Sequence, residues 1–215
     1  MSVATICKPL YTAAFAFLAM QAGATPFSGS VQLDTTLLAD PIEIAFVLTD
    51  GSGSNDGNTT VTLDNFAFGG GSAGVVDATL TTGDVSGTLD IGFSLRDSTF
   101  VGITASTFTP GTALSFGFEV DWTPEVGDTP DLLALVLIGM DGTPLATTDP
   151  SGTDALMTIE SGVTRTPLVR TFTGDLTPAP LVVTTSVDEP GTLLMLVTAF
   201  TAFVGARSRS RRRLP

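Results

Sequence analysis

Histidine is absent from this chain, and cysteine and lysine occur once each, as Cys7 and Lys8. Histidine is the side chain that most often serves as a general base or a metal ligand near neutral pH, so its absence excludes sites built on imidazole. A lone cysteine has no partner for a disulfide within the chain. Any chemistry after position 8 must therefore use carboxylates or hydroxyls.

Basic residues are also scarce in the middle of the chain. Between positions 25 and 187 there are twenty acidic residues and only three arginines, Arg96, Arg165 and Arg170, which gives this body a net charge of −17. Such a surface repels phosphate backbones, so we expect no nucleic-acid partner. The acidity favours solubility, and binding of calcium or another hard cation is the alternative.

The N-terminus has the layout of a secretory signal peptide. Lys8 precedes an apolar run over residues 10–20, and Ala22 and Ala24 stand in A-x-A register before Thr25. The run is shorter than the roughly 20 residues that a membrane-spanning helix needs. We therefore expect residues 1–24 to be a signal peptide removed after Ala24.

The C-terminus combines an apolar run with a basic end. Residues 193–206, LLMLVTAFTAFVGA, carry no charge and show no polar stripe, which predicts one transmembrane helix. At ~1.5 Å per residue the run spans only ~21 Å of the ~30 Å hydrocarbon core, so snorkelling arginines and local thinning of the bilayer would make up the difference. Arginines then follow at Arg207, Arg209, Arg211, Arg212 and Arg213. A basic cluster of this kind stays on the cytoplasmic side, so the body would be exported. A buried last helix with a basic tail is the alternative.

This C-terminal order resembles the PEP-CTERM sorting signal, a short V-P-E-P motif followed by a transmembrane helix and a basic tip. The resemblance covers residues 187–213. The motif residues are Val187, Asp188, Glu189, Pro190, Gly191 and Thr192. Glu189 and Pro190 match the second half of the motif, and Asp188 stands where its first proline usually lies. Proline also restricts the residue before it to an extended conformation, which suits presentation to a processing enzyme.

The resemblance implies a partner and a location. The partner is an exosortase, a membrane-embedded processing enzyme of Gram-negative bacteria that make extracellular polysaccharide. The precursor would be held transiently in the inner membrane by residues 193–206 and then reach the cell surface or the extracellular matrix. Residues 187–215 would form the sorting signal, with the basic tip at 207–213.

The body has the period-two alternation of half-buried antiparallel strands. The residues predicted to face inward are Ile42, Ile44, Phe46 and Leu48; Leu89, Ile91, Phe93 and Leu95; and Phe116, Phe118, Val120 and Trp122. Residues 131–142, DLLALVLIGMDG, are apolar on both faces and predict a central strand that ends at the turn Asp141–Gly142.

Turn signals separate these segments, and no stretch of the body has helical periodicity. Residues 25–186 are therefore expected to form an all-β domain, an antiparallel β-sandwich or jelly roll of about eight to ten strands. Residues 178–187 would be a last strand or a linker. The segments between positions 30 and 160 also look like a recurrent group of PEP-CTERM proteins without an assigned activity, a resemblance that implies a fold and no catalytic residue.

Two groups of oxygen-bearing side chains are candidate sites. Glu119 and Asp121 lie two apart on one predicted strand, where they either form solvated surface or act together on a cation or a sugar. The second group is a loop that offers many hard oxygens, from Asp50, Ser52, Ser54, Asn55, Asp56 and Asn58. This loop lacks the EF-hand spacing, which favours a tight glycine-rich turn over a calcium site.

Taken together, these patterns predict a non-enzymatic protein with no catalytic residue, metal or cofactor. We expect a structural or adhesive protein of the bacterial surface or matrix, associated with exopolysaccharide or biofilm. The alternatives are a carbohydrate-binding module that tethers polysaccharide, with or without the assistance of calcium, and a carboxylate-based glycosidase, which needs a second acid placed across a cleft. Trp122 and the phenylalanines could stack on a sugar ring, but their inward register favours core packing.

Overall fold

The computed structural model describes residues 26–38, 41–123, 129–161 and 166–185. These ranges contain twelve β-strands and no helix, and they belong to one compact unit, Thr25–Val187. The strands are β1 (Phe27–Asp34), β2 (Ile42–Thr49), β3 (Thr59–Ala67), β4 (Ser72–Val76), β5 (Asp84–Thr88), β6 (Gly92–Arg96), β7 (Val101–Thr109), β8 (Ala113–Trp122), β9 (Asp131–Ile138), β10 (Met157–Ser161), β11 (Leu168–Thr171) and β12 (Leu181–Thr185).

The strands form two antiparallel sheets of six. Sheet A has the order β12-β1-β8-β3-β6-β5, and sheet B has the order β11-β10-β9-β2-β7-β4. The prediction of an all-β, antiparallel, sandwich-like domain is therefore confirmed. The expected number of eight to ten strands was too low, because the short strands β4, β5 and β11 are largely exposed and carry little apolar patterning.

The hydrophobic core lies between the two sheets. Phe46 of sheet B is fully buried, and its ring contacts Phe66, Phe93 and Phe116 of sheet A at centroid distances of 6.1, 6.1 and 5.4 Å. Edge-to-face arrangements such as the Phe46–Phe116 pair, at 85°, are favoured by the charge distribution of aromatic rings. This aromatic cluster joins the inner faces of the sheets.

Most of the predicted inward residues are buried. All four inward residues of β8 are 4% exposed or less, and so are those of β2. The prediction was wrong for Ile91, which is 79% exposed. The segment around it is not one strand, because the chain turns at Leu89–Ile91 between β5 and β6, and Gly92 takes a φ of 97°.

Sheet B is buried on more than its inner face. Ala45 of β2 packs with Ala105 and Val136 in a second small apolar cluster, and the carboxyl-bearing Glu43 is only 8% exposed. The expectation of a half-buried β2 was therefore wrong, because small side chains on three adjacent strands cover one another. The prediction of a central strand at β9 is confirmed, since β9 lies between β10 and β2.

The terminal segments lie outside the described residues. They include the signal peptide with Ala22 and Ala24, the sorting motif 187–192, the apolar run 193–206 and the arginines 207–213. In the ranges that the structure does describe, no helix is long and apolar enough to cross a membrane. The predicted last strand is present as β12, which pairs with β1 through Ser28 and Thr185.

Candidate functional site

A cluster of three buried carboxyl groups lies at one end of the two sheets. Asp50 follows β2, Asp97 follows β6 and Asp131 is the first residue of β9, while Thr59 opens β3. These four residues, which we call the carboxylate cluster, are 1%, 0%, 3% and 0% exposed. They meet because antiparallel pairing sets Thr49 beside Leu132 in sheet B and Thr60 beside Arg96 in sheet A, and because the two sheets pack on one shared core.

Thr59 is the hydrogen-bonding centre of the carboxylate cluster. Its hydroxyl donates to Oδ2 of Asp131 at 2.5 Å, and its backbone N–H donates to Oδ1 of Asp97 at 3.1 Å. The N–H of Gly51 donates to Oδ1 of Asp131 at 2.9 Å. Thr59 therefore connects a carboxyl group of sheet A to one of sheet B. The remaining oxygen, Oδ2 of Asp97, is buried and accepts no hydrogen bond from a described donor.

Burial dominates the acid–base behaviour of Asp97 and Asp131. Burial raises the pKa of Asp97 to about 6, against the hydrogen bond from Thr59, and the charges of Asp131, Asp56 and Asp50 raise it further. Burial also raises the pKa of Asp131, although hydrogen bonds with Thr59, Gly51 and Asp97 oppose the shift. Both effects follow from the cost of placing a negative charge in a poorly solvated site.

Asp50 behaves differently from the other two carboxyl groups. Burial opposes its ionisation, but hydrogen bonds from Asn55, Ser52 and Gly53 together hold the pKa of Asp50 below its usual value. Its Oδ1 accepts the N–H groups of Ser52 and Gly53, at 3.0 and 2.9 Å, and Oδ2 accepts the N–H of Asn55 at 2.5 Å. Asp50 is therefore a turn-forming carboxylate.

The predicted oxygen-rich loop is a turn held by its own side chains. Ser52 donates its hydroxyl to Asp50, Ser54 donates to Asp56, and the amide of Asn58 also donates to Asp56. These oxygens are thus engaged in hydrogen bonds within the loop. In the described part of the chain, no group of three His, Cys, Asp or Glu side chains is arranged to hold a metal ion.

A second loop repeats the turn at Asp50. Asp50-Gly-Ser-Gly-Ser-Asn and Asp149-Pro-Ser-Gly-Thr-Asp share an aspartate, a serine two residues later and a glycine three residues later. Oδ2 of Asp149 accepts the hydroxyls of Ser151 and Thr153, at 2.6 and 2.7 Å. In both loops the sixth residue has a positive φ, 55° at Asn55 and 54° at Asp154. The sequence analysis missed this local repeat, although the pattern D-x-S-G is readable.

Acidic residues start turns elsewhere in the domain as well. Asp34, Asp77 and Asp141 each accept the N–H of the threonine two residues later, at 3.0, 2.7 and 3.0 Å. This is the local hydrogen bond that makes aspartate favourable in turns. Part of the high acidic content is therefore structural.

The outer face of sheet A carries a shallow polar groove of about 430 Å³. It centres on Gly117 of β8, which lies between Ser30 of β1 and Asp64 of β3. A Cβ atom at position 117 would come within 2.5 Å of Oδ1 of Asp64, so the glycine keeps the groove open. Glu119 and Asn65 also line it. We call this surface the outer groove.

The two carboxylates that were predicted to form a pair, Glu119 and Asp121, have different positions relative to the outer groove. Glu119 and Asp121 are both exposed on the outer side of β8, as expected. Only Glu119 lines the outer groove, whereas Asp121 lies beside Thr60 at the end of the strand. Asn65 has a φ of 56° at a bulge between Asp64 and Ala67, a distortion that reshapes the groove rim. Trp122 is buried at 4% exposure, in agreement with core packing.

Sequence reasoning did not identify Thr59, Asp97 or Asp131 as a group. The available signal was an aspartate placed directly at the end of an apolar strand, as in SLRD at Asp97 and DLLALVLI at Asp131. Comparison of the chain with known protein families, curated proteins and solved structures finds no match.

Proposed function

We propose that this chain is an exported, exosortase-processed protein of the bacterial surface or extracellular matrix, with a structural or adhesive role. The observation that carries the proposal is the order of the C-terminal segments: the motif 187–192, the uncharged run 193–206 and five arginines, behind an N-terminal signal-peptide pattern. Association with exopolysaccharide or biofilm, in a Gram-negative bacterium, follows from the same resemblance.

The strand boundaries are compatible with processing at both ends. The strands occupy positions 27–185, whereas the proposed cleavage follows Ala24 and the proposed sorting motif begins at Val187. Removal of both terminal segments would leave all twelve strands in place. The first residues of β1 pair with the last residues of β12, so the processed ends would both leave from the same edge region of sheet A.

A structural or binding role is proposed in place of catalysis because the clustered carboxyl groups are closed to a substrate. A general acid or base must come within hydrogen-bond distance of the reacting group. Asp97 and Asp131 are 0% and 3% exposed, and their described neighbours are turn and strand residues. These carboxyl groups therefore act inside the domain.

The proposal is tested by replacing the sorting residues in a bacterium that carries an exosortase. The double variant Glu189→Ala, Pro190→Ala should leave full-length precursor in the inner-membrane fraction, whereas the wild type is shortened and released to the surface. Ser186→Ala, one residue before the motif, serves as the matched control and should be processed normally. Normal processing and release of the double variant would contradict handling by exosortase.

A second candidate function is carbohydrate binding at the outer groove, which the groove geometry favours. Asp64 and Glu119 offer carboxylate acceptors, Asn65 offers an amide and Ser30 offers a hydroxyl. Groups of this kind hydrogen-bond to sugar hydroxyls. In this reading the domain would tether an uncharged polysaccharide, because no lysine or arginine lines the groove.

Glycan-array binding by the full-length chain, with and without calcium, tests this second function. Glu119→Gln and Gly117→Ala alter the groove and should reduce binding at least tenfold. Asp121→Asn is the matched control, because Asp121 lies on the same strand outside the groove. Equal binding by all variants would exclude the outer groove as the binding site, and absence of binding by the wild type would exclude the function.

A further inference from the structure

The arrangement of Asp97 and Asp131 leaves one carboxyl oxygen without a donor. Both oxygens of Asp131 accept hydrogen bonds, from Gly51 and Thr59. Oδ1 of Asp97 accepts the N–H of Thr59, but Oδ2 of Asp97 is buried without a described donor. Burial of a carboxylate oxygen without a hydrogen-bond donor costs free energy, because its hydrogen bonds to water are lost and none replaces them.

Thr59 holds the two carboxyl groups next to each other, because its N–H donates to Asp97 and its hydroxyl donates to Asp131. Two ionised carboxylates have only acceptor atoms, so a hydrogen bond between them requires one proton. Oδ2 of Asp97 is the position that can carry this proton, since the other three oxygens already accept hydrogen bonds. We propose that Asp97 and Asp131 share one proton and thereby form a connection between sheet A and sheet B. This connection stabilises the folded domain more at acid pH than at neutral pH.

The charges around the pair support retention of a proton. Asp50 and Asp56, on the loop that follows β2, both repel a negative charge on Asp97. Arg96 of β6, the residue before Asp97, donates through its guanidinium to the carbonyl oxygen of Gly57, at 3.1 and 3.2 Å. Asp84, another described charged residue near β6, accepts a hydrogen bond from the hydroxyl of Ser98.

No described positive charge therefore neutralises the pair. The described Arg170 forms its ion pair with Glu160, between β11 and β10. A proton is the simplest species that can satisfy two adjoining buried carboxyl groups under these conditions.

The direction of the pH effect follows from the shared proton. The folded domain holds the proton more tightly than the unfolded chain. The shared proton therefore makes its full contribution to the stability of the domain below the ordinary pKa of aspartate, 3.8. This contribution is lost as the pH rises through about 6, where Asp97 releases the proton to solvent. Above that pH two negative charges remain at the junction of the sheets. The inference does not depend on the proposed surface function.

The test compares melting temperatures of the full-length chain in detergent, as wild type and as Asp97→Asn, from pH 4.5 to 7.5. An asparagine amide donates to Asp131 at every pH, as the protonated carboxyl group does. The melting temperature of the variant relative to that of the wild type should be lowest at pH 4.5 and rise by about 5 °C by pH 7.5. Asp90→Asn, at an exposed turn position, is the matched control and should follow the wild type throughout.

Two results would overturn the shared proton. One is a constant difference between Asp97→Asn and wild type across this pH range. The other is a rise in the wild-type melting temperature with millimolar calcium chloride at pH 7.5 that Asp97→Asn abolishes, because the pair would then bind a cation. If Asp97→Asn does not fold, carboxyl ¹³C NMR of wild type decides: the proposal expects one aspartate signal that titrates near pH 6, and titration of every aspartate below pH 5 would refute it.

Discussion

The hydroxyl of Thr59 in sheet A donates a hydrogen bond of 2.5 Å to the carboxylate of Asp131 in sheet B. Both residues open their strands, and both are buried. The sheets are otherwise joined mainly by apolar contacts, so this hydrogen bond adds a directional connection at one end. Its neighbours Asp50 and Asp97 make that end a polar site beside the hydrophobic core.

Replacement of Thr59 by valine should destabilise the domain by about 2 kcal/mol at neutral pH. Valine has nearly the same shape but donates no hydrogen bond, and hydrogen bonds to charged groups contribute about 1.5 to 3 kcal/mol. Urea unfolding measures the loss. Thr60→Val, at the adjacent outward-facing position, is the control and should change stability by less than about 0.5 kcal/mol. Equal effects of the two substitutions would contradict the role assigned to the Thr59 hydroxyl.

Gly51 is required by the close approach of the same loop to β9. A Cβ atom at position 51 would lie 2.1 Å from the carbonyl oxygen of Pro130, a contact that backbone atoms cannot relieve without moving the loop. Gly51→Ala should therefore weaken the hydrogen bond from Gly51 to Asp131 and lower the melting temperature by several degrees.

Gly142→Ala separates this steric effect from a simple loss of glycine. Position 142 has a φ of 78° but open space around it, so alanine there should cost only the backbone strain of about 1 to 2 kcal/mol. Thermal unfolding of both variants checks the ranking. A smaller loss for Gly51→Ala than for Gly142→Ala would refute the close-approach argument.

The fold could be predicted where a strand has one buried and one solvated face. In β8 the alternation of Phe116, Phe118, Val120 and Trp122 with polar residues identifies the inward face, because each polar neighbour meets water. The same alternation failed at Ile91. Apolar residues at alternate positions do not show that the chain has turned, and here the information lay in Gly92, whose positive φ begins β6.

The carboxylate cluster could not be predicted in this way. Thr59 and Asp131 are 72 positions apart in sequence and belong to different sheets. Local patterns place each residue at a strand end, but those ends come together through the pairing of β2 with β9 and of β3 with β6 and through the packing of sheet A on sheet B. The turn aspartates are different, because Asp149 and Ser151 lie in one short segment whose hydrogen bonds are local.

The turn at Asp149 should lose its stabilising effect in acid. Burial opposes ionisation here, but hydrogen bonds from Ser151, Thr153 and Ala155 lower the pKa of Asp149 to about 2. The folded pKa lies below the unfolded value, so the stabilisation is present above pH 3.8 and disappears as the pH falls towards 2. Asp149→Ala should therefore cost roughly 1 to 2 kcal/mol at pH 7, allowing for solvent screening, and much less near pH 2.

Chemical denaturation at the two pH values measures this difference for Asp149→Ala. Asp141→Ala is the control, because Asp141 lies in an exposed turn and accepts only the N–H of Thr143 among the described hydrogen bonds. A loss at Asp149 that is independent of pH would show that the carboxylate charge is not responsible for the stability of the turn.

The aromatic cluster between the sheets should be the most sensitive part of the core. Phe46 is 0% exposed and contacts Phe66, Phe93 and Phe116, so Phe46→Ala removes one ring and leaves a cavity bordered by three others. Truncations of this kind cost about 3 to 5 kcal/mol. Phe100→Ala, at a side chain that is 61% exposed, is the matched control and should cost less than about 1 kcal/mol. Urea unfolding of both variants should separate them clearly. Similar losses of stability in the two variants would mean that Phe46 does not join the two sheets as described. The exposed ring of Phe100 would then contribute as much as the buried ring of Phe46, which contacts three other rings.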